Sequence, residues 1–313
     1  MEHIVNRIWA CIKRALPKAG KTCLWLLKII LPISLLVRLL QYSGVLGKLS
    51  LLLAPAFSLI GLPGETAIVF ITSMFTPLYA PIALITSMSL TVREATILAL
   101  MCLVSHNLPV ESAVQAKTGS GFWEMSILRV FMSFVIAMCL NWVMPHSGWG
   151  TIGLSVSAEA CDSIRDVFIL WFMSSMKVVM TILLVVTALM ILHYILDEFK
   201  LMHKLSALCA PLMQLFGLPK ETAFLWLVGN VVGLAYGGAI MVEQVEQKKL
   251  SLKEGHLLNY HLAMSHSLLE DSLIFIAIGI PALWIILTRL FFAIIVVWSR
   301  RAYDYYQIKK ITI

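Results

Sequence analysis

Six stretches of the chain, at 22–43, 66–90, 122–144, 177–196, 222–242 and 273–299, are predominantly apolar and about as long as a bilayer crossing. A transmembrane helix needs roughly 17–25 such residues. Few folds accommodate runs of this length, because inside lipid only helices and closed barrels satisfy their own backbone. The ten-residue alternating segments of a barrel are absent, so the expected fold is an all-α polytopic membrane protein. Composition agrees. Of the 313 residues 60% are hydrophobic and 13% charged, against roughly 45–50% and 25% in soluble domains.

The net charge of +7 is concentrated at the ends. Arg7, Lys13, Arg14, Lys18 and Lys21 precede the first run, and Arg300, Arg301, Lys309 and Lys310 follow the last. Between 144 and 164 there is no Lys or Arg. The positive-inside rule therefore puts both termini in the cytoplasm and this connector outside, in the cytoplasmic (inner) membrane of a cell. On the same rule Arg93 and Lys117 fall inside. Charge confined to membrane edges, with no basic domain behind it, argues against nucleic acid. The cysteines at 11, 23, 102, 139, 161 and 209 have no CxxC spacing and read as small packing residues.

The phrase GLPGETA at 61–67 returns as GLPKETA at 217–223, 156 residues later. At the same offset KLS 48–50 returns at 204–206, Ala54-Pro55 at Ala210-Pro211 and Lys21 at Lys177. Beyond an insertion near 243–250 the offset becomes 160, pairing TVRE 91–94 with SLKE 251–254 and SHNLPVES 105–112 with SHSLLEDS 265–272. Arg129 pairs with Arg289 at that spacing. The halves read as residues 1–145 and 157–302, joined by a connector at 146–156 and followed by a basic cytoplasmic tail at 303–313. A first half that begins inside and ends outside makes the second its inverted copy. Inverted repeats are a recurring transporter architecture, with the binding site between them at mid-bilayer.

The GLPxET phrase, the Gly/Pro-broken helix after it and the duplicated arrangement resemble the nucleoside-recognition, or Gate, family. Spore maturation proteins A and B and the Gate regions of ferrous-iron and concentrative nucleoside transporters share this module. The resemblance covers most of both halves and implies membrane transport or gating. No P-loop GxxxxGK[ST] occurs in the chain.

Read residue by residue, the phrase stops one helix and starts another. Gly61 and Gly217 suit a left-handed helix end, Pro63 and Pro219 the first position of a new helix, and Glu65 and Glu221 its first turn. The two acids either cap the helix or bind substrate or ion. In the crossing that follows, Ser73, Pro77 and Pro81 correspond to Gly229, Gly233 and Gly237. The glycines serve either close packing or a softened helix; the prolines fit only the second. Asn230 stands among the glycines.

In the SH motifs Ser265 and His266 repeat Ser105 and His106, and Asp271 repeats Glu111, with Glu270 an extra acid. Capping boxes at Thr91–Glu94 and Ser251–Glu254 start the helices that lead to each motif, as in a re-entrant hairpin. Ionisable groups inside apolar segments mark solute or ion pathways. Three readings stand: a proton-coupling pair, a divalent-metal site, or hydrogen bonds that lock the tip. The lack of a tight His/Cys cluster counts against metal, and the lack of GxSxG counts against a catalytic serine. No cofactor and no enzymatic activity are expected. Arg129 and Arg289 either snorkel, pair with an acid (Glu65 and Glu221, or Glu111 and Asp271), or bind an anionic group. His256, Asn259 and His261 occur in the second half only, opposite apolar residues of the first. The expected function is a permease component for a small polar, nucleoside-like solute, working by alternating access and coupled to protons. The alternative is a structural membrane module of the spore-maturation type. The expected partners are the lipid bilayer, the solute and, through small-residue faces, a second copy in a homodimer.

Overall fold

Some prolines and glycines of the apolar runs stop a helix, while others, Pro32, Pro81, Gly229 and Gly237 among them, lie inside one. The computed structural model describes residues 2–152, 163–231 and 233–311. Residues 153–162, with the end of the connector and Cys161, and the side chain of Lys177 lie outside what is described. The first half contains α1 (Glu2–Tyr42), α2 (Val45–Ser58), α3 (Ala67–Phe75), α4 (Tyr79–Ser87), α5 (Val92–Ser105), α6 (Leu108–Ala116) and α7 (Phe122–Val143). The second contains α8 (Ile164–Glu198), α9 (Leu201–Leu215), α10 (Ala223–Val231), α11 (Leu234–Glu246), α12 (Leu252–Ser265), α13 (Glu270–Ala277) and α14 (Ala282–Ile311). Two strands, β1 (Leu90–Thr91) and β2 (Thr151–Ile152), pair antiparallel with Leu90 opposite Ile152. The chain is otherwise all-α.

The chain divides into two compact units. One comprises Met1–Asn107, Ser133–Glu198 and Leu273–Ala282, the other Leu108–Met132, Phe199–Ser272 and Leu283–Ile313. In the first, α1 lies along α8, fastened where Glu198 takes Arg7 at 3.0 Å and Arg14 at 2.9 Å. Its centre is α5, buried at every position from Ala95 to Ser105. Phe134 of α7 presents its ring edge-on to Phe57 and Phe70, 6.4 and 5.4 Å away. Arg93 is buried against the end of α7, where it donates to the Asn141 side chain (2.6 Å) and backbone carbonyl (2.7 Å). The preceding residue, Val92, donates its amide to Gly150 O of the connector. Arg93 therefore stands at the connector's end of α7 with its charge engaged there. The loop charges put Arg93 and the connector on opposite sides of the membrane, whereas here they meet at one end of the same helix.

In the second unit α12 is buried from Leu257 through Ser265, with α10, α11 and α6 packed around it. Its first turn meets the 117–121 loop backbone to backbone. A Cβ on Gly255 would lie 2.3 Å from Thr118 O, and one on Gly119 2.3 Å from Leu252 O.

The repeat reappears as local geometry. Gly61 and Gly217 both have φ +72. Around them Leu62 N bonds Phe57 O at 3.0 Å, and Leu218 N bonds Met213 O at 2.7 Å, both six-to-one closures of a helix end. Pro63 and Pro219 have ψ of 141 and 144, so each precedes its new helix rather than occupying the first helical position expected. The reason is a 3-10 turn, Gly64–Thr66 or Lys220–Thr222, inserted between proline and α-helix. Both capping boxes form. Asn107 and Ser267, each just past its SH motif, have φ of 49 and 50.

Of the six apolar runs, three are broken rather than continuous helices. The run at 66–90 breaks at Thr76-Pro77, that at 222–242 at Gly233 (φ +95), and that at 273–299 at Gly279 (φ +100) and Pro281. Among the described residues two helices are long and apolar enough to cross a bilayer: α7 and Ala282–Gln307 of α14. By length and composition α5 and α6 together form a third, broken at His106-Asn107.

Candidate functional site

In the second unit the site begins with a broken helix that needs donors. When α10 stops at Val231, its last carbonyls lose their in-helix partners. The SH-motif tip supplies them: Ser267 N bonds Gly229 O at 2.8 Å and Leu269 N bonds Asn230 O at 3.0 Å. In the first unit Asn107 N likewise bonds Ser73 O at 2.9 Å. Each motif tip is thus stitched to the break in the crossing after its own GLPxET phrase. The glycines serve both roles weighed from the sequence. Gly233 breaks the helix, and at Gly229 a Cβ would come within 3.0 Å of Leu262, so packing there is close. At Gly237 a Cβ would lie 3.0 Å from Gly229 Cα.

Five buried ionisable side chains of this unit bear on the site, besides His261 on α12. Arg129 and Arg289 have no exposed surface, His266 has none, and Glu111 and Asp271 keep 7% each. Arg129 Nη2 lies 2.6 Å from Glu111 Oε2, and His266 Nε2 lies 3.1 Å from the same oxygen. Arg289 donates Nε to Met264 O at 2.9 Å and Nη2 to His266 O. It thereby caps the C-terminal end of α12, where a cation is favoured. Neither arginine snorkels. One pairs with an acid, and the other serves a helix end while sensing the charges of Asp271 and Glu111.

The histidine's protonation follows from its partners. His266 Nδ1 is 2.7 Å from Leu262 O, and a carbonyl only accepts, so Nδ1 carries hydrogen. Nε2 faces a carboxylate oxygen that also only accepts when ionised. At 3.1 Å the two groups attract when His266 carries a hydrogen on Nε2 as well or when Glu111 is protonated.

Glu221 is exposed and Glu65 half-buried, each on its 3-10 turn, while the Thr66 and Thr222 hydroxyls fold back onto Pro63 O and Pro219 O. Glu221 is not gathered into the buried cluster. His106, in the first unit, is buried with Nδ1 3.3 Å from Cys102 O and 3.2 Å from Leu103 O. Ser265 Oγ donates to His261 O at 3.1 Å, and Glu270, half-buried, opens α13.

A polar cluster of which the sequence singled out only His256 and Asn259 joins α7, α12 and α14. Glu124 Oε1 accepts from Tyr260 OH (2.6 Å) and Arg300 Nη1 (2.9 Å), with His256 Nε2 at 3.7 Å. Ser120 Oγ bridges His256 Nδ1 (2.9 Å) and Asn259 Nδ2 (3.0 Å). Glu124, an acid two residues into an apolar helix, was a further signal in the sequence.

The family model for nucleoside recognition, Gate, matches residues 23–118. Over 281 residues the chain is 33% identical to the uncharacterized membrane protein YvoD of Bacillus subtilis (strain 168), spanning 88% of this chain and 90% of YvoD. The chain belongs to the Gate family of membrane proteins. No solved structure matches it. Within this Gate protein the family match runs from the apolar part of α1 to the end of α6. It thus includes the GLPxET break, the first SH tip and Glu111.

Proposed function

We propose that this Gate protein is a permease component of the cytoplasmic membrane that moves a small polar, nucleoside-like solute in exchange with, or together with, a proton. The observation that carries the reading is the Glu111–Arg129–His266 cluster. Burying a charge costs several kcal/mol even when paired, and ionisable groups among apolar helices mark pathways and relays. A packing core would use apolar residues. Here one carboxylate holds an arginine and shares a proton with a histidine, and the SH tip carrying that histidine is bonded to the break in α10. Protonating Glu111 weakens its hold on Arg129. Solute and proton can then compete for one set of charges.

The matched breaks, caps and motif tips support reading the halves, 1–145 and 157–302, as inverted copies that rock against one another. Both termini would lie in the cytoplasm. The test is purified protein in liposomes, with uptake of labelled nucleosides measured with and without an imposed pH gradient. Gradient-dependent uptake that Glu111→Gln abolishes is expected. Absence of both solute and proton movement would sink the permease reading and leave a structural role.

A further inference from the structure

The second half spends polar residues where the first half packs apolar ones. Ile60, Phe70, Met74 and Met101 of the first half correspond, at the offsets established above, to Phe216, Trp226, Asn230 and His261. In the first half Ile60, Phe70 and Met101 are buried and make ordinary core contacts. In the second, His261 has no exposed surface and Asn230 keeps 4%. Its ring lies 4.8 Å from Phe216 and 6.0 Å from Trp226, centroid to centroid, and Phe216 lies 5.3 Å from Trp226.

The hydrogen bonds of this group fix what is left over. Trp226 Nε1 donates to His261 Nδ1 at 3.1 Å, and an indole nitrogen only donates. Nδ1 is therefore the bare nitrogen, and the neutral ring carries its hydrogen on Nε2. Among the described residues that Nε2 has no partner. Asn230 donates Nδ2 to Trp226 O at 2.8 Å, and its Oδ1 likewise has no partner. Trp226 touches both residues, so one buried donor and one buried acceptor belong to the same α10–α12 seam. Leaving such groups unsatisfied costs about 1–3 kcal/mol each. The apolar set in the first half shows that this seam can be packed without them.

We propose that the seam is a binding site, closed in this conformation, for an uncharged planar heterocycle. His261 Nε2–H donates to a ring carbonyl or ring nitrogen, Asn230 Oδ1 accepts from a ring N–H or amino group, and Phe216 and Trp226 supply aromatic faces. Access opens at Gly233, where α10 has already ended and the tip amides of Ser267 and Leu269 bond its last carbonyls. The site deepens the permease reading by naming its solute class, and rests on that reading only for what happens after binding.

The test is isothermal titration of the full chain in detergent with uracil, adenine, uridine and adenosine, and with uridine monophosphate as the charged control. Saturable binding of the neutral compounds is expected. Binding of free bases means that the ring edge suffices; binding of nucleosides alone means that the sugar adds contacts. Asn230→Met and His261→Met, which install the first half's residues, are expected to weaken binding at least tenfold without lowering the melting temperature. His261→Gln, which keeps a donor, should restore part of it. The site is overturned if no neutral heterocycle binds, if only the monophosphate does, if either Met variant binds normally, or if binding and melting temperature fall together. Binding without transport in liposomes would keep this site and discard the permease.

Discussion

Arg129 and Glu111 form an ion pair of 2.6 Å in which the arginine side chain has no exposed surface and the glutamate 9%. Breaking a buried pair by removing one partner costs about 3–5 kcal/mol, because the other charge remains buried. Glu111→Gln and Arg129→Met should each lower stability by that order. The double variant Glu111→Leu/Arg129→Met should lose less than either single one. Thermal unfolding in detergent measures all three, and a double loss equal to the sum would show that the side chains are not coupled.

The matched helix ends make a second prediction. Both Gly61 and Gly217 are left-handed, which costs a residue with a Cβ about 1–2 kcal/mol. The added carbon would lie 2.0 Å from Asn141 Oδ1 at position 61, but 3.1 Å from Val297 Cγ1 at position 217. Gly61→Ala should therefore destabilise clearly more than Gly217→Ala. Adding Asn141→Ala should recover part of the excess. Equal melting temperatures for the two alanine variants would contradict this packing.

What the sequence made legible was periodic and local. Glycine, proline and capping-box residues act within one turn, so a constant offset of 156 or 160 was enough to find the breaks at Gly61, Gly217 and Gly233 and the caps at Thr91 and Ser251. Pairings between helices were not legible. Glu111 and Arg129 sit on α6 and α7, and nothing in their spacing fixes which faces meet. Glu124, Tyr260 and Arg300 come from three helices and share no pattern. Hydropathy did not reveal where a run is interrupted, because it records apolarity and not the backbone break at Thr76-Pro77. Loop charge put Arg93 and the connector on opposite sides, because it cannot register that Asn141 and Met144, at the connector's end of α7, take up the guanidinium.

A third prediction concerns the start of α12. Ser251 Oγ accepts from Glu254 N at 3.2 Å, while Glu254 Oε2 accepts from Ser251 N at 2.9 Å. The Ser251 hydroxyl and amide together hold the Glu254 carboxyl below its usual value. A depressed carboxyl stabilises the fold above the unfolded pKa, about 4.3, and that contribution is lost as pH falls through the folded value. Ser251→Ala should cost about 1 kcal/mol at neutral pH. Glu254→Gln should be less stable than the parent at pH 7 and indistinguishable from it near pH 3, by thermal unfolding at each pH. A gap that persists at low pH would assign the residue a different role.

The last prediction is topological. α7 has 22 residues, which at ~1.5 Å each spans about the 30 Å of a bilayer core. His146 lies beyond one end, exposed, and Lys117 precedes the other, also exposed. Ser89 is exposed just before β1, whose neighbour Val92 is bonded to the connector at Gly150. With single cysteines introduced in intact cells, His146→Cys and Ser89→Cys should react with an impermeant maleimide. Lys117→Cys should react only after the membrane is opened. Labelling of Lys117→Cys together with His146→Cys would mean that α7 does not cross, and the reverse pattern would invert the chain. Labelling of Ser89→Cys with Lys117→Cys would put Arg93 back among the cytoplasmic cations and undo its assignment to the connector's end of α7.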